Sequence, residues 1–267
     1  RRDAVRARGG GRARSGEVSA PPERHPETWI DEGPVRRTRV AQDAALRSVA
    51  KKAVKRAASG EREPVIRQDL EKAVPARRQA VLADRLRSAQ VSLERERFAE
   101  AKRVARSLLK EMGSVAAVHE VIGLASYRLG QWKDAAAALE MARNLRFRIE
   151  DLPVLADCYR AQKRWQDLDD VWTELKQHSP AQEVLSEGRI VYAGSLADRG
   201  DLFGAIAIMM RSASAPRRVR EHHLRQWYVL ADLYDRAGNV QKAREFFKRV
   251  SAVDPHFSDV ESRLAQL

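Results

Sequence analysis

Apolar residues in the C-terminal two-thirds of this 267-residue chain recur at helical spacing, in paired stripes separated by short turns. The pattern is clearest from Leu224 to Phe257. Trp227, Leu230, Ala231 and Tyr234 fall on one face of a first helix, Gly238 marks a turn, and Ala243, Phe247 and Val250 fall on one face of a second helix, closed by Pro255. Large residues at i, i+3 and i+7 fill a stripe, while Ala231 and Ala243 are small enough for two helices to approach. Strand-like alternation is absent throughout, so the pattern predicts an all-α chain of helical hairpins.

The same register recurs upstream. Leu152, Leu155, Ala156 and Tyr159 precede Leu168, Trp172, Leu175 and Pro180; Ile122 and Gly123 precede Gly130, Trp132, Ala135, Leu139 and Ala142. A fourth copy shows Tyr192, Ala193 and Leu196, then Gly200, Leu202, Ala205 and Met209, and the earliest keeps Ala89, Phe98, Ala101, Ala105 and Leu108. Five copies start near residues 82, 116, 149, 186 and 224, at intervals of 34, 33, 37 and 38. The order W-x2-L-A-x2-Y, then A-x3-F-x2-V and Pro, resembles the tetratricopeptide repeat over roughly residues 82–257. VHEVIGLASYRLGQWKDAAAALEMARN and DLPVLADCYR, below a basic tail, are similar more narrowly to an uncharacterised actinobacterial group of such proteins. The resemblance implies a right-handed α-solenoid of five hairpins in residues 76–267. Residues 258–267 would form a capping helix over the open apolar end.

The two longer intervals imply insertions. Ser179, Pro180 and Gln182 read as N-cap, first position and capping-box partner, extending one helix backward, and SASAPRRVR reads as a loop. Ser258 and Glu261 repeat the capping-box pattern before the final helix. SGEREP, at 59–64, reads as a linker whose Pro64 disfavours helix at Glu63, and a short helix is expected before a break near Pro75.

Composition changes the picture mainly at the N-terminus. Residues 1–34 set arginines among glycine and proline with little apolar content, which predicts a disordered tail. Residues 35–75 read as a basic helical segment and linker, with Arg36, Arg37, Arg39, Lys51, Lys52, Lys55 and Arg56 around a thin alanine-rich stripe. Residues 1–60 carry 15 Lys or Arg against 7 Asp or Glu, so most of the net charge of +13 lies there. The single cysteine, Cys158, excludes an internal disulfide and fits a reducing, cytoplasmic setting. The longest run free of charge and histidine, Leu202 to Met210, falls far short of the roughly 20 apolar residues of a spanning helix. No secretory signal is expected, and the chain does not open on Met.

A repeat fold specifies a surface rather than a reaction. In the family that is resembled, the first helix of each repeat lines a concave groove. The resemblance places Glu120, Tyr127, Arg128, Asp157, Arg160, Tyr228, Asp232 and Asp235 there, together with Gln90, Glu94, Glu150, Glu187, Asp198, Arg225 and Arg236. Eight carboxylates against four arginines make an acidic groove, which favours a basic ligand. Asp157, Asp232 and Asp235 are the expected contacts, with Tyr228 stacking on an arginine of the ligand. The alternative is an ordinary solvated helix face. Leu86 and Gln90 stand where chaperone-binding members carry a carboxylate clamp, which argues against an acidic C-terminal peptide.

Other chemistry is sparse. His222 and His223 adjoin, but neighbours on a helix are expected to point apart, so no metal site and no cofactor are expected. Cys158 reads as a buried thiol rather than a nucleophile, and GGGRARSG lacks the end of a phosphate-binding loop. Trp132, Trp165 and Phe98 share one turn position, which reads as packing. The sequence thus points to a non-enzymatic protein-interaction scaffold that takes a peptide or partner helix in its groove. The alternative is an RNA- or ribosome-associated factor whose Arg-rich tail supplies phosphate contacts.

Overall fold

The structure, a computed structural model, describes residues 63–267; the tail and the basic residues from Arg36 to Arg56 lie outside the described residues. Within that span the protein is all-α. α1 (Glu63–Ala73) is followed by α2 (Ala76–Glu94) and α3 (Phe98–Met112), α4 (Ala116–Arg128) and α5 (Trp132–Leu145), α6 (Leu152–Ala161) and α7 (Trp165–Gln177), α8 (Gln182–Asp198) and α9 (Leu202–Met210), α10 (Glu221–Arg236) and α11 (Val240–Ser251), and α12 (Val260–Gln266). A 3-10 turn, Ile149–Asp151, leads into α6.

The repeated unit is written most plainly in its turns. Glu96, Gly130, Lys163, Gly200 and Gly238 each adopt a left-handed backbone between two paired helices, with φ of 60°, 72°, 58°, 89° and 75°. Their spacing reproduces the 34, 33, 37 and 38 of the sequence. In every turn the amide that follows closes the same hydrogen bond: Arg97 donates to the Ser92 carbonyl at 2.8 Å, Gln131 to Ser126 at 2.9 Å, Arg164 to Tyr159 at 2.9 Å, Asp201 to Leu196 at 2.8 Å and Asn239 to Tyr234 at 2.8 Å. This 6→1 bond satisfies a carbonyl that the helix end leaves open. A side chain at such a φ meets its own carbonyl, so the exposed Lys163 is strained where three other copies carry glycine. Lys163→Gly is expected to raise the unfolding free energy by about 0.5 to 1 kcal/mol in urea denaturation.

Each helix packs on the next, and the first helices of successive pairs (α2, α4, α6, α8 and α10) also touch one another in order. One core runs through all of them, from Leu70 to Val260. In the last pair Trp227, Leu230, Ala231 and Tyr234 of α10 meet Ala243, Phe246, Phe247 and Val250 of α11, and all are buried. Tyr234 stacks on Phe246 with centroids 5.9 Å apart, and Tyr228 sets its edge on Phe247 at 5.4 Å. Small residues set the approach of the helices: a Cβ added at Gly123 would lie 2.7 Å from Leu139 Cγ of α5.

Local signals held less well at helix starts. α8 begins at Gln182, four residues ahead of its register, so the first helix is lengthened as expected. Its N-cap position is Ala181, however, and Ser179 takes a φ of 45° in the preceding turn, which leaves no capping box there. Ser258 likewise takes a φ of 55°, and α12 starts after Asp259 without a side-chain cap. Caps form where Asp201 accepts the Gly204 amide at 2.8 Å, where Asn239 accepts that of Lys242 at 3.1 Å, and at α10, where His223 accepts the Arg220 amide at 3.0 Å. Glu63 is helical rather than the end of a linker, because Pro64 sits in the first turn, where no amide is needed. Leu70 of α1 and Val74 just after it are buried in the common core, and Asp69 pairs with Arg146 at 2.6 Å. The helical body therefore includes residues 63–75.

Candidate functional site: the face of the first helices

The residues assigned to a groove come together on α4, α6, α8 and α10, but most are covered and tied to one another. Between α4 and α6, Tyr127 donates its hydroxyl to Asp157 at 2.6 Å, and both residues are buried. Arg160 lies 3.3 Å from Asp157 and bridges onward to Asp198 at the end of α8, also at 3.3 Å. Between α8 and α10, Glu187 meets Arg225 at 3.4 Å with each side chain only 1% exposed, and Arg225 also reaches Glu221 at 3.2 Å. Between α10 and α12, Arg263 holds Asp232 at 3.0 Å and Asp235 at 2.9 Å. Tyr228 donates to Asp259 ahead of α12. Nearer the start, Arg128 lies 3.6 Å from Glu96 and over the Phe98 ring, and the buried Glu120 lies 3.6 Å from Arg148.

Each junction between first helices thus carries a polar tie, and the reason is electrostatic. A carboxylate taken out of water needs a cation or donors, or it gives up its charge. Burial pushes the Asp232 carboxyl above its usual range, and Arg263 and Arg236 act against that. The Tyr127 phenol is raised by burial and by the carboxylate it faces, and Tyr228 is raised by burial and by Asp259. These groups form a structural network. The expectation of open carboxylates at Asp157 and Asp232 is corrected: each is less than 5% exposed and already has its arginine. Tyr228 is 1% exposed, packed on Phe247 and Phe257, and is no open stacking surface. Glu94 and Asp198 do stay exposed on this face, and Asp235 is half-buried.

A second set of ties runs along the other helices. Lys102 and Arg106 of α3 meet Asp134 of α5 at 2.8 and 2.9 Å, and Arg143 of α5 meets Glu174 of α7 at 2.6 Å. Phe98, Trp132 and Trp165 open the second helices and pack as expected, Trp132 edge-on to Tyr127 at 5.2 Å and Trp165 beneath Arg199.

Sequence reasoning missed Arg263, Asp259 and Arg148. A signal was available: residues tied between neighbouring hairpins stand 28 to 38 apart, close to one repeat, so opposite charges at about that separation mark a junction. His222 and His223 depart from expectation, because their rings lie 3.9 Å apart. His223 turns back to accept the Arg220 amide at 3.0 Å, and His222 lies 3.7 Å from Glu183. Among the described residues no three His, Cys, Asp or Glu side chains converge as metal ligands. Cys158 is fully buried, and burial with the Asp157 charge raises its thiol far from the reactive range. No described helix is long and apolar enough to cross a membrane. Compared with known proteins, the chain matches no family model and no curated protein.

Proposed function

We propose that this chain is a non-enzymatic protein-interaction scaffold of the tetratricopeptide kind, acting in a reducing cytoplasmic setting. In this reading α2 to α11 form a right-handed α-solenoid of five hairpins, and an extended peptide or a partner's helix lies along the first helices. The observation that carries it is the unbroken chain of contact from α2 through α4, α6 and α8 to α10. The polar ties between these helices hold the side in one shape, and a preformed surface loses less entropy on binding. Selection of a basic ligand rests on less than the sequence suggested, because most carboxylates of that side are matched within the chain.

Panning a random peptide library on the full chain, followed by hydrogen exchange with an enriched peptide, tests this reading. Expected are peptides with a shared motif that slow exchange in α4, α6 and α8 and bind with little dependence on salt. Affinity only for RNA, weakening log-linearly with salt and lost with residues 1–60, would replace the scaffold with the tail-driven reading.

A further inference from the structure

A cleft of about 400 Å³ opens between α8, the loop at 211–220 and α10. Ser186 and Arg189 of α8, Arg211 and Ser214 of the loop, and His223 and Gln226 of α10 line it, and no Asp or Glu does. An adjoining cleft of about 240 Å³ shares Arg189 and Arg211 and adds Lys176. Beside the cleft, Glu183 pairs with Arg220 at 2.9 Å and lies 3.7 Å from His222, two residues of the same lining, and Glu187 pairs with Arg225.

The cleft differs from most helix junctions of the fold. Arg128, Arg143, Arg160, Arg225 and Arg263 all reach a carboxylate where they pack between helices. Arg189 is partly buried on α8, yet no carboxylate pairs with it among the described residues, and the exposed Arg211 at the start of the loop sets a like charge beside it. Burial and the Arg211 charge together lower the Arg189 pKa, the mark of a cation placed where cations are disfavoured. Gln226 and Ser186 are 3% and 2% exposed overall, and both line the cleft.

The setting is also fixed in place. Trp227 Nε1 and Arg249 Nη1 both donate to the Ala213 carbonyl, at 3.2 and 2.9 Å, and so pin the loop beside the cleft. His223 accepts the Arg220 amide through Nδ1, which leaves the proton of the neutral ring on Nε2 and makes that atom a donor.

We propose that this cleft binds a phosphate monoester, with Arg189 and Arg211 neutralising its charge and Gln226 and Ser186 hydrogen-bonding its oxygens. A phosphate monoester carries about −1.5 to −2 charges at pH 7, which matches two unanswered guanidiniums, whereas a carboxylate would leave one of them bare. Guanidinium forks suit tetrahedral oxyanions. The volume falls within the roughly 300 to 1,000 Å³ of small-ligand pockets, so there is room for an organic body beside the phosphate. The site stands on these residues whether or not the long face of the protein binds a partner.

Calorimetric titration of the full chain with inorganic phosphate, O-phosphoserine, serine and dimethyl phosphate tests it. O-phosphoserine should bind, serine should not, and the diester should bind at least about tenfold more weakly, as expected for loss of one charge-assisted contact. Arg189→Gln and Arg211→Gln should each weaken binding by about tenfold or more. Arg218→Gln, on the exposed part of the same loop, should leave binding unchanged. Arg189→Gln should also melt no lower than wild type, because the charge removed has no partner to abandon. O-phosphoserine binding tighter than inorganic phosphate identifies an esterified ligand, and equal affinities identify free phosphate. No binding of either phosphate probe, full affinity in both arginine variants, or equal affinity for the diester would overturn the assignment.

Discussion

Glu187→Ala is expected to lower the unfolding free energy by about 3 to 5 kcal/mol, the cost typical of breaking a buried ion pair from one side. Glu187 and Arg225 are each 1% exposed, so the pair is closed off from water. Without Glu187, the guanidinium at the junction of α8 and α10 keeps Glu221, whose side chain is 56% exposed and which lies on Arg225's own helix. Water cannot take the vacated place without opening the junction. The loss should appear in urea denaturation as a lower midpoint at unchanged slope. Replacing both partners, as Glu187→Leu with Arg225→Met, should recover most of it, because removing the two charges together leaves none unanswered. A loss that persists in the double variant would assign the effect to packing instead.

What was legible in the sequence was whatever is local or periodic. The repeat interval could be read because glycine marks the left-handed turn at residues 130, 200 and 238, and because a stripe of Trp227, Leu230 and Tyr234 admits only a helix buried on that side. The same turn at Glu96 and Lys163 carries no glycine, and there only the flanking stripes kept the register. The capping boxes at Ser179 and Ser258 misled because a three-residue motif does not fix φ; the incoming chain bends first, and each serine falls in the bend.

The candidate site was half legible. The resemblance to the repeat family places Asp157, Glu187, Arg225 and Asp232 on first helices, and they lie on α6, α8 and α10. Spacing along one helix does not say what the next helix lays over that side, so residues expected to face a ligand face an arginine or a tyrosine of the neighbouring pair. Arg189 and Arg211 could not have been linked from sequence at all. One sits on a helix and the other at the start of an inserted loop, and it is the anchoring of Ala213 by Trp227 and Arg249 that brings them to one cleft.

Acidic residues of the first helices are expected to hold consecutive hairpins together. Asp157→Asn, Asp232→Asn and Asp235→Asn in one chain keep size and shape while removing the charges that answer Arg160 and Arg263. Arg263 then loses both its carboxylates while its side chain stays 9% exposed, and the Tyr127 hydroxyl faces an amide in place of a carboxylate. The most direct measurement is the urea midpoint of this triple variant against wild type, followed by circular dichroism. The expected result is a loss of at least about 3 kcal/mol, as for a buried cation stripped of its partners. An unchanged midpoint, with helicity intact, would contradict it and return these carboxylates to a solvated face.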